Sequence, residues 1–206
     1  MANANQSSGL APVRYRNGNP WNGAINYYCI LAADTNAFWI GDPVTTIGNA
    51  GGDAKGWPSV TLGAAGAAVR GVIVGLGTIA GGGPYINPNN LTAISRPLGA
   101  ATVNYYAAVV DDPDVLFEIQ EAGAGAVLTT GSISRNVNLN IGTRNAAAVP
   151  LLSPAFLDNN TVNTTATLNL KIYQAIQRMD NTPFTAFQKW LVSINNHEFS
   201  GGTASS

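Results

Sequence analysis

Apolar residues recur at every second position along much of this chain, the spacing of half-buried β-strands rather than of helices. In residues 103–120, Val103, Tyr105, Ala107 and Val109 share one face of an extended segment. Val115, Phe117 and Ile119 share one face of the next, with Glu118 and Gln120 opposite, facing water or a partner. Between them Asp111-Asp112-Pro113-Asp114 reads as a turn. Pro113 fixes its own φ and disfavours helix at Asp112, and the aspartates beside it can bond nearby amides. The expectation is a hairpin at the centre of an all-β domain.

The same alternation marks residues 164–176, where Leu168, Leu170, Ile172 and Ile176 oppose Thr167, Asn169, Lys171 and Tyr173. Residues 187–194 answer it with Trp190, Val192 and Ile194 on one face, which predicts a C-terminal strand pair. Shorter strands are expected over 24–31, 37–40, 44–47, 57–62, 69–76 and 135–141, and one helical turn near Ser153-Pro154. Short strands separated by Gly, Pro and Asn turns predict a sandwich or barrel, specifically a jellyroll or related Greek-key topology. Residues 1–20 are polar and broken by glycine and proline, and contain nothing that would bury itself; an extended N-terminal arm is expected there. A single β domain then fills 21–200, with a flexible tail at 201–206.

Composition narrows the function. The chain has 206 residues, 46% of them hydrophobic, enough for a sizeable core. Only 10% are charged, against roughly 25% in an average soluble protein. A formal charge of −1 gives no long-range field for nucleic acid or an anionic membrane, so neither is expected as a partner. Weak surface repulsion suits a molecule that spends its life assembled. Cys29 is alone, which excludes an intrachain disulfide; no stretch approaches the roughly 20 apolar residues of a membrane helix, and a soluble product of a reducing compartment is expected.

Candidate chemistry is thin. Gly75-Leu76-Gly77 follows an apolar run as a nucleotide-binding turn would, but Gly81-Gly82-Gly83-Pro84 blocks the helix that must follow. Cys29 and His197 are the only thiol and imidazole; Cys29 lies among apolar neighbours, and His197 follows the last strand in a loop. Asp111, Asp112 and Asp114 lack the glycine and distal glutamate of a calcium loop, and nothing fixes Glu118 and Glu121 across a cleft. The Asn-X-Thr matches at Asn90, Asn159 and Asn163 count as composition. Catalysis, cofactor and metal are therefore not expected.

The aromatics carry more. Tyr27-Tyr28 and Tyr105-Tyr106 are adjacent pairs, so one member of each must leave the core side, which implies a second buried surface. Subunit contact is favoured over a sugar-stacking platform of these four tyrosines with Trp21, Trp39, Trp57 and Trp190. The interface candidates are Arg14, Tyr15, Arg16, Trp21, Tyr28, Tyr106 and His197.

Ala11-Pro12-Val13-Arg14, Trp21-Asn22-Gly23, Ile40-Gly41-Asp42-Pro43-Val44, residues 111–120, Ile176-Gln177-Arg178-Met179-Asp180-Asn181 and Ile194-Asn195-Asn196-His197-Glu198 form an ordered series. In that order and spacing the chain resembles the capsid cement or decoration proteins encoded beside the major capsid protein in tailed bacteriophages. Met179 stands where the resemblance leads one to expect proline, and the glycine-rich loops around Gly51 and Gly82 are peculiar to this chain. The resemblance implies a jellyroll-like domain that binds the outside of an icosahedral shell as a dimer or trimer. Its partner would be the major capsid protein, and its place the outer capsid surface of the virion after synthesis in the host cytoplasm. It carries over no catalytic residue. The alternative from another class is a carbohydrate-binding or host-attachment β-sandwich module.

Overall fold

The computed structural model describes residues 3–48, 53–78, 95–123, 125–144, 152–200 and 202. The chain is all-β, as its alternation predicts. Its strands are β1 (Ala11–Tyr15), β2 (Asn26–Ile30), β3 (Phe38–Trp39), β4 (Pro43–Thr46), β5 (Val60–Leu62), β6 (Gly71–Thr78), β7 (Ser95–Arg96), β8 (Tyr105–Val110), β9 (Val115–Gln120), β10 (Asn136–Asn140), β11 (Phe156–Asn163), β12 (Leu170–Ala175) and β13 (Lys189–Ile194). A six-stranded sheet runs β1-β9-β13-β12-β10-β11 and a five-stranded sheet β2-β8-β6-β4-β5, with β3 and β7 forming a short ribbon. The pairings between these strands are antiparallel.

One apolar core lies between the sheets. Val115, Phe117 and Ile119 of β9, Trp190, Val192 and Ile194 of β13, and Leu170 and Ile172 of β12 meet Val72 of β6 and Val110 of β8 there. A second core occupies the other face of the five-stranded sheet, where Ile73, Leu76, Ala107 and Val109 pack with Tyr28, Ile30, Val44 and Phe38. Strands β6 and β8 are therefore buried on both faces, which explains why their sequences are nearly continuous apolar runs.

Two expectations about connections are corrected. Segments 105–110 and 115–120 are strands as foreseen, but they do not form a hairpin: β8 pairs with β2 and β6, and β9 with β1 and β13. The aspartate turn carries the chain from one sheet to the other. Asp111 is drawn inward, where Tyr28 Oη donates to its Oδ2 at 2.6 Å and Asn26 Nδ2 to its Oδ1 at 2.9 Å. No helical turn forms at Ser153-Pro154 either; the helical turn among the described residues is a 3-10 turn at Thr130–Ser132, capped by Thr129. The C-terminal pair holds: β12 and β13 lie side by side from Leu170 opposite Ile194 to Ala175 opposite Trp190. A bulge between Ile172 and Gln174 shifts the alternation, so that Ala175 is buried and Ile176 only half-buried.

Residues 3–20 are not a free arm. Leu10 is 1% exposed and belongs to the first core, and Ala11–Tyr15 is the edge strand beside β9. Ahead of it, Asn3 Nδ2 donates to Thr182 O and Thr185 Oγ1, both at 3.0 Å, and Gln120 Nε2 donates to Ala4 O at 2.6 Å. Gly9 makes the close crossing possible. Its φ is 68°, and a Cβ there would stand 2.3 Å from the Gly41 carbonyl oxygen, which accepts the Leu10 amide at 2.9 Å.

Candidate interaction surface

Four of the seven interface candidates gather at one corner. Past a bulge between Pro12 and Arg14, β1 sets Arg14 opposite Leu116 and Tyr15 opposite Val115. The chain then reverses through Asn17-Gly18-Asn19, with Gly18 at φ 93°. Tyr15 N donates to Asn19 O at 2.8 Å and Trp21 N to Val13 O at 3.2 Å, so the returning strand covers part of the open edge of β1. Trp21 and Tyr15 pack half-buried against the first core. Tyr15 Oη donates to Asn22 Oδ1 at 2.8 Å, and Arg16 lies 3.5 Å from Asp114.

A polar cleft of about 600 Å³ opens here between Tyr15, Arg16, Asn17, Asn19 and the Asp112-Pro113-Asp114 turn. Its walls offer amides, a phenol, two carboxylates and one guanidinium, a mixture that makes hydrogen bonds to another polar surface. It is not a cation cage: Asp111 is turned inward, Asp112 Oδ1 accepts the Asp114 amide, and Asp114 faces Arg16. Among the described residues no group of three or more His, Cys, Asp or Glu side chains has the arrangement of a metal site.

The other three candidates are corrected, because each is inside its own chain. Tyr28 and Tyr106 are both 5% exposed. Tyr28 ends on Asp111; burial first, then that hydrogen bond and the carboxylate charge, push its hydroxyl well above the ordinary range. Tyr106 Oη donates to Asp53 Oδ2 at 2.5 Å, and burial with that bond raises it to about 12. Each adjacent pair is split between the two faces of its strand, but Tyr28 and Tyr105 face the second core while Tyr27 meets Trp57 and Tyr106 meets Asp53 of a folded-back loop, so the chain itself covers both faces. His197 is fully buried: Val69 N donates to Asn196 O and Glu198 N to Val69 O, which brackets the imidazole. Its Nδ1 accepts the Phe199 amide at 3.0 Å, so Nε2 carries the hydrogen and the ring is neutral. Burial, and next the Arg70 charge, hold it below its ordinary value.

Beside His197 lies a network that sequence inspection passed over. Arg70 Nε pairs with Glu198 Oε2 at 2.8 Å, and its guanidinium lies 4.0 Å above the Phe199 ring. Glu198 also accepts from Thr45 Oγ1 and Thr46 N, each at 2.7 Å, which ties the C-terminal segment to β4. Burial alone would raise the Glu198 carboxyl; the hydrogen bonds from Thr45 and Thr46 and the Arg70 charge overcome it and hold it low.

A second knot is tighter. Asp42, fully buried, takes two 2.8 Å hydrogen bonds from Arg144, the Trp39 amide at 2.8 Å, and Ser153 Oγ. Arg144 in turn lies over the Trp39 ring. A third centre is Arg96, buried between Phe38 and Tyr105, whose guanidinium donates to the carbonyls of Leu31, Ala32, Asp34 and Asn36. Each knot joins residues tens of positions apart, so no local spacing announces it. The one available signal is Gly41-Asp42-Pro43, an acid in a turn entering a strand.

No family model, curated protein or solved structure matches this chain. The site therefore rests on its own geometry. Cys29 is buried with its thiol pushed up to about 11 by burial first, an unreactive state. Gly75 and Gly77 sit inside β6, at and beyond its bulge, not at a helix N-terminus. Trp39 and Trp190 are buried and Trp57 meets Tyr27 edge-on, so the tryptophans do not assemble into a flat platform. Asn90 and the loop around Gly82 lie outside the described residues. Among the described residues no helix is long and apolar enough to cross a membrane.

Proposed function

We propose that this protein is a non-enzymatic structural component of a bacteriophage head, a jellyroll-related β-sandwich. It would bind the outer surface of the icosahedral shell and reinforce contacts between major capsid subunits. The observation that carries the proposal is how the chain uses its buried charges. The Asp42–Arg144 and Arg70–Glu198 pairs and Arg96 each join segments far apart in sequence, and Gly9 locks the N-terminal segment against the Asp42 turn. Such an arrangement makes one stiff body, which loses little entropy when it docks. What it leaves outside is a largely neutral surface with a polar cleft at the β1 corner, suited to many modest contacts repeated around a lattice. The ordered resemblance to capsid cement proteins supports the same assignment.

Particles assembled without this protein should release DNA at a lower temperature than complete particles, and adding it back should restore the difference. Identical release temperatures with and without it would count against the proposal.

A further inference from the structure

Two phenylalanines lie outside both apolar cores and line one cleft. Phe156 begins β11 and Phe187 stands just before β13; both are half-buried, and neither ring joins the first or the second core. The cleft, of about 600 Å³, is lined also by Asn5 and Ser7 of the N-terminal segment and by Thr143 and Pro154. Phe187 is placed there against its own preference. Its φ is 61°, a left-handed backbone that a bulky side chain rarely adopts; such strain persists only where the surroundings impose it, and it collects at ligand-holding sites. Gln120 Nε2 donates to Phe187 O at 3.0 Å and also to Ala4 O. Asn3 Nδ2 donates to Ala186 O at 3.2 Å, and Thr182 N to Asn3 Oδ1 at 2.7 Å. The N-terminal segment and the Phe187 loop are thus tied together before any ligand arrives. The ring itself lies where a side chain on Gly123 would be, since a Cβ there would stand 1.9 Å from Phe187 Cζ. Phe184, also left-handed at φ 59°, rests its ring edge-on to Trp190 at 6.2 Å. Phe187 meets no other ring among the described residues.

The cleft is neutral. Glu121 is the one charged residue that lines it, and its carboxylate is turned to the buried Trp190 and Gln188. The side chains of Asn5, Ser7 and Thr143 have no hydrogen-bond partner among the described residues. An anionic ligand would find no cationic side chain in this lining, and a wholly apolar one would gain nothing from the amide and the two hydroxyls. Aromatic rings beside free polar groups suit a ligand that is uncharged, has apolar C–H faces and offers hydroxyls in several directions. That is the chemistry of a neutral pyranose sugar, and the cleft falls within the range of about 300–1,000 Å³ usual for small-molecule sites.

We propose that this cleft binds a neutral pyranose, its C–H faces against Phe156 and Phe187 and its hydroxyls bonded to Asn5, Ser7 and Thr143. The inference does not depend on the shell-binding role proposed above and adds a second activity, a hold on glycans. In the test, isotope-labelled full-length protein is titrated with glucose, galactose and N-acetylglucosamine, and with glucuronic acid as the charged comparison, while amide shifts are followed by NMR. Saturable shifts are expected with at least one neutral sugar, centred on residues 120–123, 143 and 187, and glucuronic acid should bind more weakly than the best neutral sugar. Phe156→Ala and Phe187→Asn should each weaken binding about tenfold or more, as loss of an aromatic anchor does. Asparagine tolerates the left-handed backbone, so Phe187→Asn removes the ring and keeps the loop. Gly123→Ala, which displaces the Phe187 ring without removing it, should weaken binding as well. Tyr173→Ala, at an exposed aromatic outside the cleft, should bind as wild type does. The shift map of the wild type decides the matter whether or not a variant folds. No saturable shift with any neutral sugar, shifts centred elsewhere, tighter binding of glucuronic acid, or unchanged affinity in folded Phe156→Ala and Phe187→Asn overturns the inference.

Discussion

Replacing Asp42 by alanine removes the acceptor on which Trp39, Arg144 and Ser153 converge, and the structure sets the scale of the loss. The Arg144 guanidinium, 9% exposed, would keep its charge and lose both hydrogen bonds to the carboxylate, while the Trp39 amide and Ser153 hydroxyl would lose an acceptor. Breaking one side of a buried ion pair typically costs about 3–5 kcal/mol. For a chain of this length each kcal/mol shifts the melting temperature by about 2–4 °C, so a fall of about 6–20 °C is expected. Urea denaturation and thermal melts of Asp42→Ala at pH 7 measure it directly. Adding Arg144→Met should recover part of the loss, because the stranded charge goes too, and a double-mutant cycle isolates the coupling. Hydrogen exchange adds a local readout: the Leu10 amide, held by Gly41 next to Asp42, should exchange faster in the single variant. A loss below about 1 kcal/mol, or an unchanged Leu10 amide, would refute the claim that this knot fastens the N-terminal segment to the domain.

His197 is held below its ordinary value, so the unfolded chain takes up its proton first. Its contribution is complete above about pH 6.5 and is lost as pH falls, and Glu198, also held low, adds a further loss on acidification below about pH 4.5. Followed by urea midpoint, the wild type should therefore lose stability relative to His197→Gln as pH falls from about 7 to about 5; a difference that does not change with pH would contradict the burial of a neutral ring. Glu121 behaves oppositely. Burial raises its carboxyl despite hydrogen bonds from Trp190 Nε1 at 2.9 Å and Gln188 Nε2 at 3.1 Å. Its contribution is complete below about pH 4.5 and fades as pH rises through the raised value, so Glu121→Gln should gain on wild type between pH 5 and pH 8; a constant difference across that range would contradict it. Gly9→Ala puts a Cβ 2.3 Å from the Gly41 oxygen at a φ of 68°, and should destabilise by at least about 1–3 kcal/mol and expose the first ten residues to proteases; wild-type resistance would show that the crossing is not needed.

The strands that alternate most clearly were legible in the sequence because burial on one face is a local property. Phe117, Trp190 and Ile172 all point where their spacing says. Pairing is not local. The turn between β8 and β9 looked like that of a hairpin, yet its first aspartate is bonded to Tyr28 and Asn26, more than eighty positions away. Strand β11 went unforeseen because Asp158-Asn159-Asn160 reads as loop; Asn159 is instead buried, its amide donating to Ala122 O at 3.1 Å. The N-terminal segment looked free because Leu10 is its one buried hydrophobic side chain among the described residues, and a single buried position makes no pattern. At the candidate surface, Arg14, Tyr15, Arg16 and Trp21 lie at one corner because they are close in sequence. Tyr28, Tyr106 and His197 misled because a polar tip can be satisfied inside the chain as well as by a partner.

The central claim is that this protein coats a shell in bulk. Quantitative mass spectrometry of purified particles measures it most directly, as the number of copies per major capsid protein. The account predicts a fixed, simple ratio that is the same from one preparation to the next. Absence from particles, or a variable trace amount, would contradict it.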